Sequence, residues 1–115
     1  MSEWDRDRDL LELIIELIGH VQRRVPKLTA ADFLVDKDEI DLTAFRLLHI
    51  GEATNKLSPE FKARYPAMPW ADIYRMRNII SHDYFGLDPH IVWQTAMHGM
   101  EELLVICRAE LNSLN

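Results

Sequence analysis

The sequence predicts an all-α domain, an up-and-down bundle of four to five main helices over residues 1–115. Three observations carry that expectation. Apolar residues return every three or four positions over long stretches, the period of a helix with one face in a core. Helix-start signals recur, with a polar cap followed by proline at Ser58-Pro59 and again at Asp88-Pro89. Only four glycines and few β-branched runs leave little from which to build a sheet. At 115 residues and 48% apolar content, the chain is long enough to bury one core.

The first helix is expected from about Asp5 to Arg24, with Asp5, Asp7 and Asp9 near its positive end. Leu10, Leu13, Ile14, Leu17 and Val21 form its inward stripe. Leu11, Ile15 and Ile18 widen that stripe beyond one core-facing surface, which implies burial on two sides, by the core and by a second subunit. Burial within a single subunit is the alternative. Pro26 ends the helix. Thr29, with Asp32 three residues on, resembles a capping box for a short helix over 30–35.

A third helix runs from about Asp38 to Leu57, with Ile40, Phe45, Leu48, Ala53 and Leu57 inward. Gly51 in its interior costs about 1 kcal/mol relative to alanine, a cost that a tight helix crossing there offsets. Ser58-Pro59 restarts the chain as far as about Tyr65. Pro69 opens a central helix that stops near Gly86, with Trp70 as a core anchor ahead of Ile73 and Met76. The last helix runs from Asp88-Pro89 to about Leu111, and Trp93, Ala96, Met97, Met100, Leu103, Leu104 and Cys107 face inward.

The net charge is −6. An acidic body disfavours nucleic-acid binding through the overall field, so any RNA contact is local, drawn from Lys62, Arg64, Arg75 and Arg77. The one cysteine, Cys107, excludes an internal disulfide and reads as a buried thiol. No apolar run approaches the ~20 residues of a membrane span. The charged start is unlike a secretory signal, so the expected location is cytoplasmic, with no membrane partner. No histidine joins other ligand types at a metal-binding spacing, so neither metal nor cofactor is expected.

The second half of the central helix gathers Arg77, Asn78, Ser81, His82, Asp83 and Tyr84. Arginine supplies a permanent charge and a planar donor fork suited to phosphate. Histidine exchanges a proton near neutrality. On a regular helix Arg77 and His82 point about 140° apart. Their cooperation therefore requires either a distorted last turn or a second copy of the helix facing the first.

The segment from Arg77 to Tyr84 resembles the R-x-x-x-x-H-x-Y motif of HEPN-domain ribonucleases, specifically the HepT-like toxins of MntA/HepT toxin–antitoxin systems. The resemblance extends to Ile50-Gly51-Glu52-Ala53, Leu57-Ser58-Pro59-Glu60, Met68-Pro69-Trp70, Asp83-Tyr84-Phe85-Gly86 and Ile91-Val92-Trp93, and covers about Arg6 to Leu104. It implies a HEPN-like bundle, a homodimer, and metal-independent endoribonuclease activity of a toxin. It also implies a nucleotidyltransferase (MntA-like) antitoxin partner that AMPylates the motif tyrosine, here Tyr84.

RNA carries its own nucleophile, the 2′-hydroxyl, so an enzyme need only move protons and stabilise charge. His82 is the expected acid–base group, worth typically 10²–10⁴-fold in rate. Arg77 is the expected phosphate stabiliser. Asn78 and Asp83 are supporting residues, Tyr84 a substrate contact and modification site, and Arg75 a further RNA contact. One chain offers one such histidine whereas this chemistry uses two proton-transfer groups, so a composite dimer cleft follows. Two other classes compete: a non-catalytic helical partner that binds and restrains the nucleotidyltransferase, and a nucleotide-binding regulator that cleaves nothing.

Overall fold

A computed structural model describes residues 3–114, with side chains from residue 6 onward. Among these residues there are seven α-helices and no strand. They are α1 (Glu3–Arg24), α2 (Ala30–Val35), α3 (Lys37–Lys56), α4 (Pro59–Ala63), α5 (Trp70–His82), α6 (Pro89–His98) and α7 (Glu101–Leu114). The Cα radius of gyration is 14.4 Å. The all-α bundle is as predicted.

Side-chain caps start α2, α3 and α4, with Thr29 and Ser58 where the sequence indicates and Asp36 two residues ahead of the expected start of α3. Thr29 accepts a hydrogen bond from the Asp32 amide at 3.1 Å, Asp36 from the Glu39 amide at 3.2 Å, and Ser58 from the Phe61 amide at 3.2 Å. Each satisfies an orphan donor of a first helical turn. Ser58 is held in turn by α1: its amide and hydroxyl donate to the Asp7 carboxylate at 2.9 and 2.6 Å. Asp7 therefore anchors α4 rather than merely favouring the α1 dipole. The Asp5 side chain lies outside the described residues.

α1 is covered within the chain, packing on α3 and on α7. Leu11, Ile14, Ile18 and Val21 are buried, Leu10, Ile15 and Leu17 are half-buried against them, and Leu13 turns outward at 43% exposure. The breadth of its apolar face is thus largely explained by two neighbouring helices of the same chain, and it does not by itself call for a second subunit. On α3 the inward set is Ile40, Ala44, Leu47, Ile50 and Ala53, whereas Phe45, expected inside, is exposed and packs on His49 at 4.3 Å between ring centroids. One hundred degrees per residue puts Phe45 beside Ala44 on the outer flank.

The last predicted helix is two. It breaks at Gly99, which caps α6, and α7 restarts at Glu101. A Cβ on Gly99 would stand 2.9 Å from the Thr95 carbonyl oxygen, so a larger residue here would require the turn to shift. The break lets Met100 bury. Cys107 is fully buried, and burial, with a smaller contribution from Glu110, pushes its thiol up to about 12. Trp70 anchors α5 as expected: its ring meets Phe61 edge-on at 5.7 Å and its N–H donates to the Lys62 and Tyr65 carbonyls. No helix of the described residues is long and apolar enough to cross a membrane.

Candidate active site

The motif hangs on the crossing of α3 and α5. Gly51 lies at the contact, where an added Cβ would come within 2.6 Å of the Arg77 Cβ. The missing side chain lets α5 approach until Arg77 lies against α3. There the Arg77 Nε donates to the Glu52 carboxylate, and its Nη1 donates to the Asn78 side-chain oxygen at 2.8 Å. The Arg77 side chain is 23% exposed, so the ion pair is partly shielded from water. Glu52 thereby fixes the stem of the guanidinium while Asn78 draws one corner of it round towards the next stripe of the helix.

That stripe is the one His82 occupies, one turn beyond Asn78. α5 remains a regular α-helix through His82, and the Asp83 amide still donates to the Ile79 carbonyl at 2.9 Å. The helix was expected to run to Gly86. It stops four residues earlier because Asp83 leaves helical geometry at φ −141°, ψ 50°, and residues 84–86 turn as a short 3-10 segment. With no distorted last turn, the backbone positions of Arg77 and His82 stay about 140° apart around the axis. Only the reach of the Arg77 side chain to Asn78 narrows the gap.

His82 is exposed, and its ring is bonded to no other described side chain. Asp83 is exposed and folds its carboxylate over Gly86, where an added Cβ would meet it at 2.6 Å. Tyr84 is half-buried and its hydroxyl donates to Asp41 of α3. Lys37 completes this group, with its ammonium 5.1 Å from the centre of the Tyr84 ring and 3.3 Å from the Asp41 carboxylate. Beside them a groove of about 290 Å³ is lined by Leu34, Val35, Ile40, Phe85 and Leu87. Phe85 is 99% exposed.

The other expected cations are dispersed. Arg75 is exposed and pairs with Asp72 at 2.8 Å one turn back. Arg64 pairs with Glu110 of α7, and Lys62 donates to the Asn55 carbonyl at 3.0 Å while burial lowers its pKa. The four do not form one basic pocket with Arg77. A different apolar cavity, about 230 Å³ beside Gly51 and Met76, contains neither His82 nor Tyr84. Among the described residues no group of three or more His, Cys, Asp or Glu side chains converges as metal ligands would.

Residues 14–110 match the family model described as "Ribonuclease HepT-like". The chain belongs to the HepT-like ribonuclease family. It is 34% identical over 97 residues to a protein of Thermococcus cleftensis named "Probable ribonuclease HepT", covering 84% of this chain and 87% of that one. It is 35% identical over 98 residues, covering 84% and 86%, to a protein of Caldanaerobacter subterraneus subsp. tengcongensis named as a candidate RNase. A longer protein of Methanocaldococcus jannaschii, named as a gamma-glutamylcyclotransferase and candidate RNase, is 31% identical over 93 residues, which cover 81% of this chain and 42% of that one. No solved structure gives a significant match.

Asp41 and Lys37 escape sequence reasoning, and Glu52, quoted there beside Gly51, is not read as the partner of Arg77. All lie on α3, far from the motif in sequence. Glu52 adjoins the close-packing glycine, which is the one local signal that it meets the opposite helix. Asp41 and Lys37 form an i, i+4 pair that looks like an ordinary solvated face until the 3-10 segment lays Tyr84 on it.

Proposed function

We propose that this HepT-like protein is a metal-independent endoribonuclease whose active cleft is completed by a second copy of the chain. The observation that carries the proposal is the pairing of a half-buried Arg77, held by Glu52 and turned towards Asn78, with a solvent-reachable His82 one turn further along α5. Arg77 stabilises the charge that develops on the phosphate, and His82 moves the proton of the 2′-hydroxyl or of the leaving oxygen. The 2′-oxygen forms the new bond to phosphorus, the 5′-oxygen leaves with a proton, and the product ends in a 2′,3′-cyclic phosphate. Asn78 positions the guanidinium, Asp83 is a supporting carboxylate beside the cleft, and Arg75 contacts the strand from the outward face of α5.

Two features support the homodimer. One chain supplies a single histidine at the motif, and the outward face of α5 that carries His82 also shows Tyr74 at 42% and Ile79 at 41% exposure. Those apolar groups beside catalytic polar ones suit burial against a twin helix. In this reading the protein is the toxin of a toxin–antitoxin pair and acts in the cytoplasm. A nucleotidyltransferase antitoxin silences it by AMPylating Tyr84, and the attached anionic nucleotide then fills the approach to His82 and Arg77.

One observation favours a second reading, a non-catalytic partner that restrains the nucleotidyltransferase: Glu52 already neutralises Arg77. The two are separated by incubating the purified protein with single-stranded RNA in excess chelator. The ribonuclease reading predicts cleavage with cyclic-phosphate ends, lost in His82→Ala. RNA left intact by the parent protein overturns it.

A further inference from the structure

A second charged feature stands apart from the motif. The C-terminal end of α1, the turn after it and the middle of α3 enclose a cleft of about 270 Å³ lined by His20, Arg23, Arg24, Lys27 and Arg46. Four permanent cations in one cleft are a local reversal of a chain whose net charge is −6. The carboxylates that face them are few. Glu39 takes Arg24 in a two-toothed pair at 2.7–3.2 Å and also attracts Arg46, Asp36 attracts Arg24, and Glu16 lies 3.8 Å from His20. Arg23 meets the His20 Nδ1 at 3.2 Å, and Lys27 and Arg46 make no direct salt bridge with a described residue, Glu39 acting on Arg46 only at longer range. Glu39 offsets only part of this charge, and a bound anion would relieve the repulsion that remains among the cations.

We infer that this cleft binds the sugar-phosphate backbone of single-stranded RNA at a distance from the scissile bond. The inference rests on the ribonuclease reading and adds a distal anchor to it. Arg46 stands on the same helix as Glu52, the Arg77 partner, about 9 Å along the axis and about 120° round it. A strand leaving the catalytic groups thus passes round α3 to reach the cleft. Arginine forks and a lysine suit phosphate oxygens and read no base, so the contact is sequence-tolerant and salt-sensitive.

The test uses the full chain carrying His82→Ala, which leaves RNA uncut, and a fluorescent single-stranded RNA titrated at several salt concentrations. Each phosphate contact on a single strand adds about 0.7 to the slope of log affinity against log salt. Arg23→Ala with Arg46→Ala is therefore expected to weaken binding and flatten that slope by about 1.4, and Lys27→Gln alone by about 0.7. Arg108→Ala, an exposed cation on α7, leaves the slope in place. An unchanged slope in the folded cleft variants overturns the inference, as does an equal loss in Arg108→Ala. The ribonuclease reading fails separately, by intact RNA after incubation with the parent chain.

Discussion

Gly51 and Arg77 meet at the α3–α5 crossing so closely that a methyl group on the first would lie 2.6 Å from the Cβ of the second. Alanine at position 51 would gain about 1 kcal/mol of helix propensity. The atom it strikes is fixed to the α5 backbone, so one helix must move, and such overpacking costs typically 1–3 kcal/mol. Gly51→Ala is therefore expected to lower stability by about 1 kcal/mol net and to reduce RNA cleavage by displacing Arg77. Denaturant melts and cleavage rates check both. A stabilised, fully active variant would contradict the role of the crossing.

Glu52 holds Arg77 without touching substrate. Glu52→Gln keeps the shape and removes the charge, so its effect on RNA cleavage should be partial. Arg77→Ala should cost on the order of 10²-fold or more, as loss of an electrostatic stabiliser does. Arg77→Lys should not restore the rate, because an ammonium cannot bond Glu52 and Asn78 through one planar fork. Single-turnover cleavage of one RNA by the three variants is the measurement.

The Tyr84 hydroxyl donates to Asp41, and Lys37 sits over the same ring. If Tyr84 is the nucleotidylated residue, Asp41 is the group placed to take its proton as the tyrosyl oxygen attacks the α-phosphorus and pyrophosphate departs. Asp41→Asn should then slow AMP transfer by about 10²-fold, within the range of general-base catalysis. Intact-mass spectrometry after co-expression with the nucleotidyltransferase follows it. Tyr84→Phe should take up no AMP.

The bond from Arg24 holds Glu39 below its ordinary carboxylate value, with burial opposing and attraction to Arg24 assisting. A depressed folded pKa stabilises above the unfolded value and loses that contribution as pH falls through the folded one. Glu39→Gln should therefore lower Tm near neutrality, with the gap to the parent closing as the solution is acidified below the usual glutamate range. A gap that widens in acid would reverse the assignment.

The thiol of Cys107, pushed up to about 12 and fully buried, should ignore a disulfide reagent at pH 8 in the native state and react once in denaturant. Immediate reaction of the folded protein would place it elsewhere.

Much of this was legible because it is local. Thr29 and Ser58 cap helices with their own side chains, and Gly51 marks the crossing through the cost of a glycine inside a helix. The misreadings come from competition between near neighbours or from distance. Gly99 breaks the last helix inside an otherwise unbroken apolar pattern, and Asp83 ends α5 ahead of the more obvious Gly86. Proximity in sequence groups Arg64 with Arg77, yet Arg64 pairs with Glu110 on another helix. The cationic cleft unites residues 20–27 with residue 46, and no window along the chain contains both. Arg77 and His82 are recognisable as neighbours in the sequence, and the regular helix keeps their backbone positions about 140° apart.

The central claim is that two copies of His82 serve one cleft. Mixing parent and His82→Ala subunits at constant total concentration, with exchange allowed to equilibrate, tests it most directly. If both histidines are required, RNA cleavage falls with the square of the parent fraction and stands at about a quarter in an equal mixture. A linear fall, to about half, would mean that each subunit cuts RNA alone and would contradict the shared site.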